Sequence, residues 1–263
     1  MAYKQLIYEK KDRIAYITLN RPHRLNALHP LLGAEMREAF SDFRDDPELW
    51  VAILTGAGDR AFSAGADLKW VAGIREEGED EPPQQQGQVS LGDITRHFDC
   101  WKPIIAAVNG FALGGGLELA LSCDIIIAAD HAELGLPEGR VGQVAGTGVH
   151  RLPRQIPLKL AMGMILTGRR IKAQEALRLG IVNEVVPAAD LMTTAEQWAN
   201  DILLCAPLSV RASKQMVMTG LDLPLELAMD RSYTEFEKAI TAADQQEGAK
   251  AFSEKRKPNW TGA

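Results

Sequence analysis

The chain is poor in cysteine, carries no excess of basic charge and lacks any long apolar run. Each shortage excludes something. Three cysteines in 263 residues (Cys100, Cys123 and Cys205) are odd in number and far apart. That argues against a disulfide scaffold or a cysteine-based zinc site and fits a reducing compartment. Lys and Arg total 29 against 35 Asp and Glu, a formal charge of −6. Such a net field repels phosphate, so a dedicated nucleic-acid binder is disfavoured. No apolar run approaches the roughly 18 residues of a membrane span. The start, MAYKQLIYEKKDRIAYITLN, has no continuous apolar core of secretory length, so a cytoplasmic protein is expected. The histidines show no H-E-x-x-H or other metal-ligand spacing, and no metal is expected. There is no G-x-S-x-G nucleophile turn.

What is present is ordinary for a globular protein: 46% hydrophobic and 24% charged residues, enough apolar material to exclude a disordered chain. The length permits one large domain or two small ones. Four short Ile- and Val-rich runs, Ile14–Leu19, Val51–Thr55, Pro103–Val108 and Asp124–Ala128, read as buried strands. A partner strand near Leu6–Lys10 precedes the first, with Lys11-Asp12 as the turn. Leu31, Leu32, Met36, Ala39, Phe40 and Phe43 share one helical face, and Pro30 suits that helix's first turn. Strands alternating with helices predict an α/β architecture.

From Pro157 onward the apolar spacing is helical. Helices are predicted near 158–167, 173–179, 190–205, 207–219, 222–243 and 245–256, with a short β-like stretch at Ile181–Val186. The expected organisation is a core over 1–195 and a helical region over 196–263. No internal repeat is visible. Residues 75–92, REEGEDEPPQQQGQVSLG, are acidic and then rich in Pro and Gln, and predict a mobile surface insertion or a lid.

The 23 glycines are not spread evenly. Gly110 and Gly114-Gly115-Gly116 follow the run Pro103–Val108 and precede a predicted helix over Leu117–Ser122. A strand feeding a glycine turn and a helix start lets backbone N–H groups meet a phosphate or a developing oxyanion. The phosphate-loop and dinucleotide spacings are absent. A second small-residue turn, Ser63-Ala-Gly-Ala66, could supply the other donor of a two-donor oxyanion hole, with Asp67 as the N-cap of the next helix. Glu118 lies two residues past the triple glycine among Leu117, Leu119, Ala120 and Leu121. Such surroundings predict a raised carboxyl pKa suited to proton transfer. Glu138, after Pro137, is a second candidate. Cys123 reads as a buried filler.

Five segments together resemble the crotonase (enoyl-CoA hydratase/isomerase) superfamily. They are Asn20-Arg-Pro-His-Arg-Leu-Asn-Ala-Leu28, Ala61-Phe-Ser-Ala-Gly-Ala-Asp-Leu68, Lys102 to Ala120, Cys123-Asp-Ile-Ile-Ile-Ala128 and Thr167 to Val186. The resemblance implies a spiral of β-β-α units with a helical C-terminal trimerisation region. It implies an acyl-CoA substrate, no separate cofactor, and a homotrimer or a dimer of trimers. By the same resemblance the oxyanion donors fall on Ala66 and Gly115, and two catalytic glutamates fall on Glu118 and Glu138. Contacts to CoA fall on Arg24, Ala64, Ala66, Asp67, Leu68 and the basic end at Lys255, Arg256 and Lys257. Both glutamates are present, which favours hydration or dehydration over isomerisation. Val144-Ala-Gly-Thr-Gly-Val-His-Arg151 departs from the family pattern by one glycine, which predicts a shifted turn beside Glu138. The leading expectation is an enoyl-CoA hydratase. The alternatives are a carnitinyl-CoA-like dehydratase, an isomerase, a thioester hydrolase, and a non-catalytic or RNA-binding protein on the same fold.

Overall fold

A computed structural model describes residues 3–74, 93–96 and 98–263. The expected insertion at 75–92 lies outside the described residues. The strands are β1 (Leu6–Lys11), β2 (Ile14–Leu19), β3 (Val51–Gly56), β4 (Ala61–Ser63), β5 (Ile104–Val108), β6 (Phe111–Leu113), β7 (Ile125–Ala129), β8 (Glu133–Gly135), β9 (Arg170–Lys172) and β10 (Glu184–Val186). The helices are α1 (Pro30–Asp45), α2 (Leu68–Val71), α3 (Gly115–Ala120), α4 (Gly148–Gln155), α5 (Leu158–Thr167), α6 (Ala173–Leu179), α7 (Leu191–Leu203), α8 (Pro207–Gly220), α9 (Leu225–Asp230), α10 (Thr234–Thr241) and α11 (Ala243–Ser253).

Two sheets share the strands. The larger runs β1-β2-β3-β5-β7-β10, parallel throughout except for the antiparallel β1–β2 hairpin. The smaller runs β4-β6-β8-β9, with β4, β6 and β8 parallel. The pairs β3/β4, β5/β6 and β7/β8 each give one strand to each sheet. The chain therefore advances as a spiral of β-β-α turns, the fold that the resemblance implied. The repetition is in geometry and not in residues, which is why no repeat appears in the sequence.

The long apolar runs are strands buried on both faces. Every residue of β3 and β5 is buried, as parallel strands covered on both sides require. Their alternate residues serve two cores. Ala52, Leu54, Ala106 and Val108 join Met36, Phe40 and Phe43 of α1. Ile53, Ile105 and Ile127 meet Leu191, Ala195 and Ala199 of α7. Truncating a fully buried phenylalanine such as Phe43 costs about 3–5 kcal/mol in settings of this kind.

Some expectations need correction. The first hairpin turns at Asp12 and Arg13, both at positive φ (50° and 68°), one residue later than expected. The helix expected over 222–243 is two helices. Between them the backbone of Arg231 and Tyr233 is extended, which turns Tyr233 inward so that its hydroxyl donates to Ala228 O at 2.7 Å. The boundary placed at 195 falls inside α7, which packs as one helix on β3, β5 and β7. The strands β4, β6, β8 and β9 are three residues long, too few to show a period in the sequence.

Candidate active site

The C-terminal ends of β4, β6 and β8 lie side by side, and each delivers part of one cavity. Ligands gather at the carboxyl ends of parallel strands because the backbone and the following helix starts expose N–H groups there. After β4 come Ala64, Gly65 and Ala66; after β6 come Gly114, Gly115 and, one helical turn on, Glu118; after β8 come Pro137 and Glu138. All of these line a cavity of about 990 Å3.

Residues 20–28 hold the first of these segments. Leu28 N donates to Gly65 O at 2.8 Å, Asp67 N donates to Leu28 O at 2.9 Å and Ala64 N donates to Leu25 O at 3.0 Å. This is a one-residue parallel bridge between Leu28 and Ala66. The bridge uses the backbone groups on either side of Ala66. Ala66's own N–H therefore points to the opposite side, toward the cavity that Ala66 lines. Asn26 secures the arrangement: its amide donates to Ala61 O at 2.7 Å and to Ala57 O at 3.0 Å. Ser63 Oγ in turn donates to Asn26 O at 2.8 Å.

Gly115 opens α3, so its N–H has no partner within that helix. Among the described residues, no hydrogen bond uses the N–H of Ala66 or of Gly115 as donor. The two turns touch backbone to backbone. A Cβ on Gly65 would stand 2.6 Å from Leu113 O and 3.2 Å from Gly115 N, and one on Gly116 would stand 2.2 Å from Ser63 O. Glycine is required at these positions by that contact.

The two glutamates sit in different surroundings. Glu118 is 5% exposed. Its Oε1 accepts from Thr147 N at 2.6 Å, Gly148 N at 2.6 Å and Thr147 Oγ1 at 3.1 Å. Thr147 and Gly148 begin α4, so Glu118 caps that helix from across the site. The shortened glycine turn thus grips Glu118, whereas the sequence pointed to a disturbance at Glu138. Thr147 and Gly148 were the residues missed. The signal was the Gly146-Thr-Gly148 triplet, assigned to the wrong glutamate.

The Glu138 carboxyl has a raised pKa. Burial pushes it up to about 7, its own backbone amide offsets part of this, and the charge of Glu118 adds to it. Its Oε2 is buried with no hydrogen-bond partner among the described residues.

The expected CoA contacts divide. Ala64, Ala66 and Leu68 line the cavity. Arg24 is half-buried next to Leu25, which lines it. Asp67 does not line it: its carboxylate is buried, accepting from Arg21 Nη1 at 3.0 Å and from Trp70 N at 3.3 Å. Lys255 and Lys257 are exposed and do not reach the cavity of their own chain. Arg256 is tied to Glu247 and Glu254. Cys123 is buried, and burial pushes its thiol pKa far up. Among the described residues no group of three or more His, Cys, Asp or Glu could hold a metal, and no helix is long and apolar enough to cross a membrane.

The profile of the family described as enoyl-CoA hydratase/isomerase matches residues 9–263. The chain belongs to the enoyl-CoA hydratase/isomerase family. Within that family it is 43% identical over 260 residues to an (E)-benzylidenesuccinyl-CoA hydratase of Thauera aromatica, covering 97% of this chain and 98% of that protein. It is 45% identical over 258 residues to a carnitinyl-CoA dehydratase of Escherichia coli strain K12, covering 96% and 97%. The crystal structure of an enoyl-CoA hydratase from Mycobacterium tuberculosis H37Rv superposes with a TM-score of 0.89 at 37% identity, covering 98% of this chain and 99% of that one. The chain is thus an acyl-CoA hydratase or dehydratase of the enoyl-CoA hydratase/isomerase family.

Proposed function

We propose that the protein adds water across the 2,3 double bond of an enoyl-CoA thioester. One observation carries this reading. Two carboxyl groups from successive turns of the spiral line one cavity together with two outward-facing backbone amides, and their surroundings suit opposite roles. The thioester carbonyl is held by the N–H groups of Ala66 and Gly115. Charge grows on that oxygen as the β-carbon is attacked, and preorganised donors stabilise it by about 3–4 kcal/mol each in comparable sites.

Glu118, fixed through Oε1, takes a proton from water while the water oxygen bonds to the β-carbon. Glu138 is protonated below a pH of about 7 and gives its proton to the α-carbon. The π electrons of the double bond pass through the enolate to the new C–H bond. The product is a 3-hydroxyacyl-CoA. Glu118 then carries the proton that Glu138 has lost, and exchange with solvent resets both. Run backward, the same steps dehydrate a 3-hydroxyacyl-CoA. The similarity to a carnitinyl-CoA dehydratase keeps that direction as the second reading.

CoA is part of the substrate, and no other cofactor enters the scheme. Ala64, Ala66 and Leu68 contact the nucleotide portion through backbone, and Arg24 contacts the phosphate region. Lys255 and Lys257 would reach CoA only from a neighbouring subunit. A homotrimer, alone or as a dimer of trimers, is therefore part of the proposal. Incubation with crotonyl-CoA should bleach the ultraviolet absorbance of the conjugated thioester. Glu118→Ala and Glu138→Ala should each lower kcat by about two to four orders of magnitude. Full activity in the double variant would sink the two-glutamate scheme.

A further inference from the structure

The cavity has a cationic wall that the hydration scheme does not use. Arg96 lines both the main cavity and an adjoining one of about 470 Å3. Its Nη2 is 3.8 Å from where a Cβ on Gly146 would stand, next to Thr147, whose amide holds Glu118. The guanidinium is therefore at the Glu118 side of the reacting centre.

The short segment that carries Arg96 is pinned. Arg96 N donates to Asp93 O at 3.0 Å, Asp93 Oδ2 accepts from Arg37 Nε at 2.7 Å, and Arg151 Nη2 donates to Thr95 O at 3.1 Å. Arg96 itself has no carboxylate partner among the described residues, while Arg37 beside it does. Behind it, the adjoining cavity is lined by Arg151 and Arg154. The one carboxylate among the described residues lining that cavity is Asp222, 3.8 Å from Arg154 and 80% exposed.

We propose that Arg96 receives a carboxylate borne by the acyl group, so that the preferred substrates are CoA thioesters of diacids and not of plain fatty acids. The inference rests on the acyl-CoA reading given above. A guanidinium next to a cavity matches a carboxylate with two parallel N–H donors. The wall is wrong for the opposite charge. A quaternary ammonium is held by aromatic faces or free carboxylates. The one aromatic ring among the described residues lining the main cavity is Phe111, and Arg170 already lies over it at 5.7 Å. Asp93, three residues before Arg96, is committed to Arg37.

Binding of saturated, unreactive thioesters tests this without depending on turnover. Glutaryl-, adipoyl- and suberyl-CoA are titrated calorimetrically against pentanoyl-, hexanoyl- and octanoyl-CoA, with 6-(trimethylammonio)hexanoyl-CoA as the cationic control. At one length or more the diacid ester should bind about tenfold tighter than its plain partner, and the cationic ester more weakly than hexanoyl-CoA. Arg96→Gln should erase the diacid advantage and leave the plain esters within about threefold of the parent. Equal binding of diacid and plain esters at every length, or equal weakening of both in Arg96→Gln, overturns the inference. Crotonyl-CoA hydration on the same preparations separates the two readings. Hydration without diacid preference sinks only this one. Diacid preference without hydration of any enoyl ester sinks the reaction scheme and leaves Arg96's role standing.

Discussion

The Glu138 carboxylate lies against the backbone of Gly114: a Cβ at position 114 would stand 3.0 Å from Oε1 and 3.4 Å from the carboxyl carbon. Gly114 is also at φ 55°, ψ −127°, a conformation that side chains other than hydrogen rarely adopt. The glycine therefore has two tasks. It turns the chain from β6 into α3, and it leaves room for the Glu138 carboxyl.

Gly114→Ala tests both tasks. The strained backbone should cost about 1–3 kcal/mol of stability, seen as a lower denaturant midpoint. The displaced carboxyl should lower kcat by about tenfold or more in the fraction that remains folded, because small misplacements of a catalytic group are expensive. Full activity on a crotonyl-CoA assay would show that Glu138 does not need its observed position.

The pKa of Glu138 predicts an alkaline limb. If it acts as the acid, kcat/KM for hydration should fall as pH rises through about 7. The same group leaves a mark on stability. Its folded pKa is raised from the ordinary 4.5, so between there and about 7 the folded chain holds a proton that the unfolded chain has lost. The stabilising contribution is present at low pH and is lost as pH rises across that window. Glu138→Gln has no such group. Its stability relative to the parent should grow by about 2 kcal/mol between pH 4.5 and 8, read by thermal melts. A difference that is flat with pH would mean that the carboxyl is not perturbed.

How much of this was legible beforehand depended on length. The buried strands β3, β5 and β7 stood out because five or six consecutive apolar residues cannot be explained otherwise. The second sheet did not stand out, because its strands are three residues long and their partners lie about 50 and 22 residues away at Phe111 and Glu133. The two candidate turns were visible through their glycines. Their purpose was only half visible: Gly116 and Gly65 are dictated by the carbonyls of Ser63 and Leu113, which no local pattern encodes. The different surroundings of Glu118 and Glu138 were illegible for the same reason. The donors that hold Glu118 come from Thr147 and Gly148, 29 and 30 residues on, where no local pattern points to them.

Asp67 illustrates a residue whose type was read correctly and whose partner was not. It caps α2 as expected, yet it also forms a buried pair with Arg21, whose Nη1 also donates to Ala27 O at 2.8 Å. Burial pushes the carboxyl up, but the Trp70 amide and the Arg21 guanidinium together bring it below its ordinary value. Its contribution to stability is therefore present above the unfolded pKa and lost as pH falls through the folded one. Asp67→Ala should destabilise by about 3–5 kcal/mol, since it removes the buried carboxylate that faces the Arg21 guanidinium. The pair Arg21→Met with Asp67→Leu should recover much of that loss. A double variant as unstable as Asp67→Ala would mean that the hydrogen bonds to Trp70 and Ala27 matter more than the charges.

The last prediction concerns the helical end of the chain. Large apolar side chains stand exposed there: Leu221 at 75%, Leu225 at 73%, Met229 at 68% and Phe252 at 87%. Scattered exposed leucines need no cause, but several large apolar side chains at the end of α8 and on α9 and α11 suit a contact surface. Covering such a side chain is worth about 1.5–3 kcal/mol relative to leaving it in water. If the protein is a trimer or a dimer of trimers, light scattering should give three or six times the chain mass of 28.8 kDa. Leu221→Asp with Leu225→Asp should shift that mass toward the single chain, since two carboxylates would have to be buried without partners. Catalysis should then divide from folding. The cavity is built by β4, β6 and β8, so it survives in a folded monomer. Any loss of affinity for CoA esters on dissociation, with kcat retained, would locate part of the CoA contact, such as Lys255 or Lys257, on a neighbouring subunit. A monomeric parent protein of full activity would remove the trimer from the proposal.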